Sequence, residues 1–162
     1  MVYDVAIIGA GVSGCSIAME LSKYDLKVII LEKGLDVALG ATKANSGIVH
    51  AGYDCEPGTL MAELNVKGSE MMETLCENLS VPYERTGSFV VGFDDEDKEK
   101  LKELYDKGIA NGIKSMEIID GDMARQKEKN LSKDVTWALY AKTAAIVSPY
   151  ELAIGMCENA VE

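Results

Sequence analysis

Near its N-terminus the sequence carries a glycine motif that few folds accommodate. Residues 5–8 (Val-Ala-Ile-Ile) form a short apolar run, which predicts a buried strand. The motif G-x-G-x-x-G follows at once at residues 9–14, and residues 15–21 have the pattern of a helix. A second apolar run, at residues 27–31, predicts another buried strand and ends on Glu32. This order predicts a βαβ unit whose first strand-to-helix turn binds a dinucleotide.

Each glycine of the motif, and the acid after the second strand, meets a physical requirement of dinucleotide binding. Gly9 permits a tight turn, Gly11 lets a pyrophosphate approach the backbone, and Gly14 lets the helix lie close to the strand. Unpaired N–H groups at the start of the helix favour a bound phosphate. The carboxylate of Glu32 can accept hydrogen bonds from ribose hydroxyls. A glycine-rich turn in an ordinary α/β protein would explain the glycines, but it would leave Glu32 as a coincidence.

Composition and charge narrow the function classes. The 162-residue chain is 48% hydrophobic and 27% charged, which is ordinary for a soluble globular protein. Its net charge of −11 argues against nucleic acids and anionic membrane surfaces as partners. The apolar runs are too short to span a membrane, and no signal peptide is recognisable. Four widely spaced cysteines give no metal-binding pattern and suit a reducing cytoplasm.

The segment 39–53 is small, polar and glycine-rich, and it follows the second predicted strand. It contains His50, the only histidine of the chain. Such a segment can wrap around a ligand with hydroxyls, an amide, backbone N–H groups and one imidazole. A solvated loop is the alternative interpretation.

Residues 9–32 and the run Lys-Ala-Asn-Ser-Gly-Ile-Val-His-Ala-Gly at 43–52 resemble the start of FAD-dependent oxidoreductases of the D-amino-acid-oxidase-like superfamily. Within it, they are most similar to FAD-dependent glycerol-3-phosphate dehydrogenases and oxidases and to L-2-hydroxyglutarate oxidases. Arg-Thr-Gly-Ser at 85–88, before an apolar run, also fits this branch. The resemblance covers essentially the whole chain but about the first third of a family member. We therefore expect the N-terminal part of a longer enzyme, inactive by itself, with uncovered apolar surface that favours self-association.

The resemblance implies FAD as the cofactor, where the motif by itself also allows an NAD-dependent dehydrogenase. It implies that Gly9, Gly11 and Gly14 hold the pyrophosphate and that Glu32 holds the adenosine ribose. It also implies cofactor contacts from the residue after Glu32 and from residues of the polar segment that follows the second predicted strand. These are Lys33, Thr42, Lys43, Asn45, Ser46 and Gly47.

The resemblance further places His50 near the flavin, at the substrate. A neutral imidazole, with an ordinary pKa of about 6.5, can take the hydroxyl proton while a hydride leaves the carbinol carbon for flavin N5. A loop histidine that only hydrogen-bonds the backbone is the alternative. The implied substrate is a small anion, glycerol 3-phosphate, with L-2-hydroxyglutarate, another 2-hydroxy acid, or an amino acid or amine as alternatives. A non-catalytic nucleotide-binding fragment is the alternative from another class.

The remaining pattern predicts an α/β fold with three parts. We expect an incomplete Rossmann-like FAD-binding domain at residues 1–80, a mixed α+β segment of a substrate domain at 81–147, and a helix at 148–162 that returns to the first domain. The S-x-x-E run at 148–151, with proline after the serine, predicts the start of that helix. A long helix is expected from Thr59 to about residue 79. Its predicted apolar face comprises Leu60, Leu64, Met71, Leu75 and Leu79.

Overall fold

The computed structural model describes residues 2–161, which divide into two compact units. The first unit contains the residues up to 47, residues 73–83 and the residues from 147 onward, and the second contains 48–72 and 84–146. The predicted division into an FAD-binding domain and a substrate domain stays a prediction. In chain order the elements are β1 (Val5–Ile8), α1 (Val12–Leu21), β2 (Val28–Leu31), a 3-10 turn (Ala41–Lys43), β3 (Ile48–Val49), α2 (Leu60–Asn78), β4 (Tyr83–Glu84), β5 (Ser88–Gly92), α3 (Asp95–Ala110), β6 (Met116–Asp120), α4 (Gly121–Lys127), β7 (Trp137–Ala141), β8 (Ala145–Val147) and α5 (Pro149–Asn159).

The first unit is built on the predicted βαβ motif. Strands β1 and β2 pair in parallel, with Ile7 opposite Ile30, and α1 connects them. Helix α1 begins at Val12, inside the glycine motif, and packs against α5. The buried side chains of this unit come from β1, the glycine motif, α1, the end of α2 with the turn after it, and α5. They include Ile7, Ala10, Cys15, Ala18, Cys76, Val81, Leu152, Ala153 and Met156.

The two strands are less buried than their apolar runs predict. Ile7 is 8% exposed, whereas Ile8 is 89% exposed and Leu31 is 52% exposed. The prediction of two buried strands is therefore wrong for Ile8 and Leu31. Side chains alternate along a strand, so Ile7 faces α1 while Ile8 lies on the opposite face, which is open in the described part of the chain.

The second unit contains an antiparallel sheet in the order β5-β7-β6. Helix α3 covers one face of this sheet, and α4 lies on the other beside the stacked rings of Phe89 and Tyr140. A second three-stranded sheet has the order β3-β8-β4. The main core of the second unit lies between α3 and the β5-β7-β6 sheet. It comprises Ala51, Leu101, Ile113, Met116, Leu139, Ala141 and Ala144.

Helix α2 has the predicted bounds but not the predicted buried face. Leu60, Leu64 and Met71 are all more than half exposed, while the smaller Ala62 and Cys76 are buried. The predicted apolar face is therefore wrong for those three side chains. Small side chains let a helix lie closer to its neighbours than large ones do, and this close contact decides which face is inside.

Four helices begin at side-chain caps; before α4, Asp120 accepts a hydrogen bond from the Met123 N–H at 2.8 Å. Thr59 Oγ1 accepts a hydrogen bond from the Ala62 N–H before α2, and Asp94 accepts one from the Asp97 N–H before α3. Ser148 Oγ accepts from Glu151 N–H at 3.4 Å, with proline at the first position of α5, which confirms the predicted helix start. None of the helices within residues 2–161 is long and apolar enough to cross a membrane.

Candidate functional site

An open groove of about 570 Å³ lies over the glycine motif in the first unit. Backbone from the β1–α1 turn forms one wall, and the 3-10 turn forms the other. The lining residues are Ile8, Gly9, Gly11, Val12, Ser13, Gly14, Ala41, Thr42 and Asn45.

The three motif glycines are explained by the backbone around them. Gly9 has φ +98°, a left-handed conformation that other residues adopt with strain. A Cβ on Gly14 would lie 2.0 Å from the carbonyl oxygen of Gly9, so the turn and α1 meet too closely for any side chain. A Cβ on Gly11 would lie 3.2 Å from Thr42 Oγ1, in the mouth of the groove. Because these positions have no side chains, a ligand in the groove can contact the backbone directly.

The start of α1 offers hydrogen-bond donors to the groove. The Val12 N–H donates to Thr42 Oγ1 at 3.0 Å, while the N–H groups of Ser13 and Gly14 have no acceptor among residues 2–161. The first turn of α1 contains no acidic residue, so no side-chain charge offsets the positive end of the helix dipole. Such a helix start binds an anion, typically a phosphate.

Thr42 is a buried polar side chain at this point of the groove. Its Oγ1 accepts the hydrogen bond from the backbone of α1, which leaves its own hydroxyl hydrogen to donate. That hydrogen has no acceptor within the described residues. A phosphate oxygen at the start of α1 would supply one.

Glu32 clamps the glycine loop. Its carboxylate accepts one hydrogen bond from the Ala10 N–H at 2.8 Å and one from the Gly34 N–H at 2.7 Å. These bonds, the one to Ala10 first, hold the pKa of the Glu32 carboxyl below its ordinary value of 4.5. The side chain is exposed, and each carboxylate oxygen keeps a further lone pair. Glu32 can therefore position the loop and accept from a ribose hydroxyl at once.

Ala10 and Ala38 were not identified from the sequence, although both shape the groove. The Ala38 N–H donates to the Ala10 carbonyl at 2.8 Å, which ties the loop after β2 to the glycine motif. Ala38 is buried and has φ +61°, a conformation that is uncommon outside glycine. Alanine gives no sequence signal for such a role, because the contacts are made by its backbone. Ser13, also missed, contributes through its backbone N–H.

Asn45 and Gly47 have structural tasks beside their predicted cofactor contacts. The side-chain amide of Asn45 donates to the carbonyls of Ala41 and Thr42, and its oxygen accepts from the Gly47 N–H. Gly47 has φ +67°, and a Cβ there would lie 2.1 Å from the Val147 carbonyl oxygen. Both residues thus fix the wall of the groove that carries Thr42.

All predicted cofactor residues lie in the first unit, and His50 lies in the second, directly after β3. Lys33, Lys43 and Ser46 have exposed side chains and are not among the residues that line the groove. His50 is exposed as well, and it makes no hydrogen bond to another described residue. The roles assigned to these residues stay predictions.

Cys15, immediately after the motif, is a structural thiol. It is fully buried, and its Sγ donates a hydrogen bond to the Ala10 carbonyl at 3.5 Å. Burial, helped by the neighbouring Cys157 thiol, raises the pKa of Cys15 to about 11. It stays protonated at neutral pH, and its hydrogen bond adds a further support to the glycine loop.

The groove fits the pyrophosphate of a dinucleotide. Two free N–H groups, the Thr42 hydroxyl and the bare backbone at Gly11 converge on one place, and a carboxylate stands at the end of β2 for the ribose. This donor set suits FAD as the resemblance implies, and the geometry alone does not separate FAD from other dinucleotides.

Comparison with known proteins makes that distinction. Residues 4–162 match the model of the DAO family, described as FAD dependent oxidoreductase. The chain is 51% identical over 160 residues to a glycerol 3-phosphate dehydrogenase of Caloramator mitchellensis, covering 99% of this chain and 33% of that protein. It is 37% identical over 121 residues to a mitochondrial L-2-hydroxyglutarate dehydrogenase of Dictyostelium discoideum, covering 74% of this chain and 27% of that protein.

A solved structure shows the same fold. The dithionite-reduced L-α-glycerophosphate oxidase of Mycoplasma pneumoniae, with FAD bound, matches with a TM-score of 0.91 at 29% identity, over 98% of this chain and 42% of the oxidase. The chain thus spans about a third of the length of the curated relatives it matches. The predicted Rossmann-like fold and the predicted cofactor, FAD, are confirmed. The chain belongs to the DAO family of FAD-dependent oxidoreductases.

Proposed function

We propose that this chain is the N-terminal part of an FAD-dependent dehydrogenase or oxidase that acts on a small hydroxy compound, glycerol 3-phosphate. The observation that carries the proposal is 51% identity, over nearly the whole chain, to a glycerol 3-phosphate dehydrogenase. The groove at the start of α1 supports it independently, because it offers the donors that the cofactor's pyrophosphate needs.

Each residue of the groove has a task in this proposal. The N–H groups of Ser13 and Gly14 and the Thr42 hydroxyl bind the pyrophosphate, and Glu32 binds the ribose while it holds the loop in place. Lys33, Lys43 and Ser46 contact the cofactor with their exposed side chains, beside Asn45 and Gly47. When bound, FAD supplies the redox chemistry by accepting a hydride, and the protein positions and polarises the reactants.

His50 is the proposed general base. It is exposed, carries no hydrogen bond to a described residue, and is the only histidine of the chain. A neutral imidazole removes the substrate's hydroxyl proton, and the negative charge that develops on that oxygen drives loss of the hydride.

The second candidate substrate is L-2-hydroxyglutarate or another 2-hydroxy acid. It is favoured by the 37% identity to an L-2-hydroxyglutarate dehydrogenase. Both candidates are small anions with a secondary hydroxyl group, so the same base and the same cofactor would serve either.

Two further expectations belong to this proposal. We propose that the protein works in the cytoplasm, because all four cysteines are free thiols and none is paired. We also propose that the chain by itself is inactive and self-associates, since Ile8 and Leu31 leave an apolar surface uncovered. Analytical ultracentrifugation of the 162-residue chain tests the latter, and a monomer at every concentration would contradict it.

The substrate test measures anaerobic reduction of the bound flavin in the complete protein that carries this segment. Glycerol 3-phosphate, L-2-hydroxyglutarate and an amino acid are added separately, and the loss of visible flavin absorbance is followed. The proposal predicts fastest reduction by glycerol 3-phosphate. Fastest reduction by either of the other two would overturn the substrate assignment without touching the cofactor assignment.

The base assignment is tested with His50→Asn in the same assay. We expect flavin reduction by substrate to slow about 10²- to 10⁴-fold, the usual contribution of general base catalysis, with unchanged flavin content. Dithionite, which needs no base, should still reduce the variant at the normal rate. Near-normal reduction by substrate would show that His50 is not the base.

A further inference from the structure

The backbone before His50 is anchored in the second unit. Strand β3 ends at Val49, which pairs with Ala145 of β8 and is 7% exposed. His50 follows directly, and its exposed side chain makes no hydrogen bond to another described residue. The position of the imidazole is therefore set by the backbone on either side of it.

Asn111 anchors the backbone that follows His50. Its side-chain amide donates two hydrogen bonds, one to the Gly52 carbonyl and one to the Cys55 carbonyl, each at 2.9 Å. Both acceptors belong to the loop that starts at His50, although Asn111 lies 59 and 56 residues away from them along the chain. One distant side chain thus uses both hydrogens of its amide group on this loop.

Asn111 is itself held in a fixed position. It follows the last residue of α3, and its N–H donates to the Lys107 carbonyl at 2.9 Å. The Ile113 N–H donates to the Gly108 carbonyl at 2.9 Å, which closes the end of the helix. Because the half-buried Asn111 stands on this closed helix end, its amide loses little freedom when it bonds to the loop.

The loop also packs closely against its neighbours. Ala51 is buried in the main core together with Ile113. Gly52 has φ +100°, and a Cβ there would lie 2.8 Å from a methyl carbon of Val66 in α2. The loop therefore fits against α2 and the segment after α3, and the two amide bonds select one position for it.

Loss of the Asn111 amide would move this loop. Gly52 and Cys55 are both buried, so their carbonyl groups have little access to water. Removing the two donors leaves these acceptors unsatisfied, which favours loop positions that expose them. Such a movement carries His50 with it, since only Ala51 separates His50 from Gly52.

We propose that Asn111 is a positioning residue for His50, because its two hydrogen bonds hold the loop that carries the imidazole. The inference rests on the proposed role of His50 as the general base. Asn111 acts through the loop and not by contact with the reacting atoms. A displacement of about 1 Å in a catalytic group can slow a reaction about 100-fold, so two hydrogen bonds to this loop matter for the rate.

The test is a double-mutant cycle on the complete protein that carries this segment, with FAD bound. Asn111→Asp keeps the size of the side chain, but its ionised carboxylate cannot donate, and Asn111→Leu has a similar shape without charge. Each should slow flavin reduction at saturating substrate about 10- to 100-fold, with unchanged flavin content and unchanged reduction by dithionite. In the His50→Asn background, neither should slow reduction further, because no base is left to position.

The matched control is Asp94→Ala, which removes the cap at the opposite end of α3 and should leave flavin reduction at the wild-type rate. Normal rates in both Asn111 variants beside a slow His50→Asn would overturn this inference alone. Equal slowing by the Asn111 variants in both backgrounds, or equal slowing by Asp94→Ala, would do the same. A normal rate in His50→Asn would overturn the base assignment and this inference together.

Discussion

Glu32 shows how one carboxylate can serve both the fold and the ligand. Its two oxygens accept from the N–H groups of Ala10 and Gly34, which fixes the glycine loop before any ligand arrives. A loop already in its binding conformation loses less entropy when the cofactor binds. The ribose contact that the sequence predicts is compatible with this clamp, because each oxygen has a second lone pair.

Replacing this carboxylate should destabilise the protein in a pH-dependent way. The folded-state pKa of Glu32 lies below its ordinary value of 4.5, so its stabilising effect is fully present above that pH and is lost as the pH falls through the lowered value. Glu32→Gln should therefore melt at a lower temperature than the wild type at pH 7, and the difference should shrink as the pH is lowered below 4.5. Thermal melts across this range measure it.

The control for this experiment is Glu20→Gln. Glu20 is an exposed acid near the end of α1 whose described partner is Lys23, just after that helix, and such surface pairs contribute little to stability. A pH-independent difference for Glu32→Gln, or an equal effect of Glu20→Gln, would contradict the clamp.

Gly14 should tolerate no side chain. A Cβ there would lie 2.0 Å from the Gly9 carbonyl oxygen, which is backbone and cannot move aside cheaply. Gly14→Ala should lower the free energy of unfolding by about 1–3 kcal/mol, the usual cost of overpacking. Urea denaturation measures the loss. Gly68→Ala, in the interior of α2 where a Cβ meets nothing within 4 Å, should not lower it, because alanine favours a helix more than glycine does.

The positions of the motif glycines and of Glu32 in the βαβ unit were predictable from the sequence, because the motif fixes the backbone there. The glycine motif and Glu32 are local, and their spacing implies their geometry. The roles of Ala10 and Ala38 were not predictable, because a carbonyl and an N–H belong to every residue and only the fold brings these two together. Likewise, nothing in the sequence indicates that the side-chain amide of Asn45 donates hydrogen bonds to neighbouring backbone carbonyls.

Helix α3 begins with a cap whose effect can be isolated. Asp94 accepts a hydrogen bond from the Asp97 N–H at 2.8 Å, and the Asp97 carboxylate accepts one from the Phe93 N–H. Asp94→Ala should cost about 1 kcal/mol of unfolding free energy, because it leaves helix-start donors unsatisfied. Chemical denaturation followed by circular dichroism is the measurement.

Asp95→Ala serves as the matched control for this cap. Asp95 lies in the first turn of α3 and accepts no capping hydrogen bond, so only its favourable interaction with the helix dipole is lost, and the better helix propensity of alanine offsets it. Equal destabilisation by Asp94→Ala and Asp95→Ala would show that charge near the dipole, and not the cap, stabilises α3.

Element bounds were easier to predict than element faces. Caps and turn residues mark where α2 and α5 begin, and the structure confirms these starts. The inner face of α2 was mispredicted, because apolar periodicity marks the large residues while the contact selects small ones such as Ala62. The same limit applies to β1, whose apolar run does not reveal that Ile8 lies on an open face.

At the scale of the whole molecule, the chain belongs to a family of FAD-dependent oxidoreductases and spans about a third of the length of its curated relatives. The family and the cofactor were predictable because the glycine motif and the run around His50 are contiguous in the sequence. A cleft of the second unit that Lys114 lines was not predictable, since its residues come from five separate segments that only folding brings together. A contiguous motif can be recognised from the sequence alone, whereas a cleft built from distant segments can be recognised only in the structure.

The most direct test of the central claim is a titration of the complete protein that carries this segment, freed of its cofactor, with FAD. Binding is monitored by the quenching of flavin fluorescence. We predict saturable binding of one FAD per chain, and roughly tenfold weaker binding by Gly11→Ala, whose methyl group would lie at the mouth of the groove, 3.2 Å from Thr42 Oγ1. Gly68→Ala, in α2 and outside the groove, should bind as the wild type does. Absence of FAD binding, or equal affinity in Gly11→Ala and the wild type, would contradict the assignment of this groove to the cofactor.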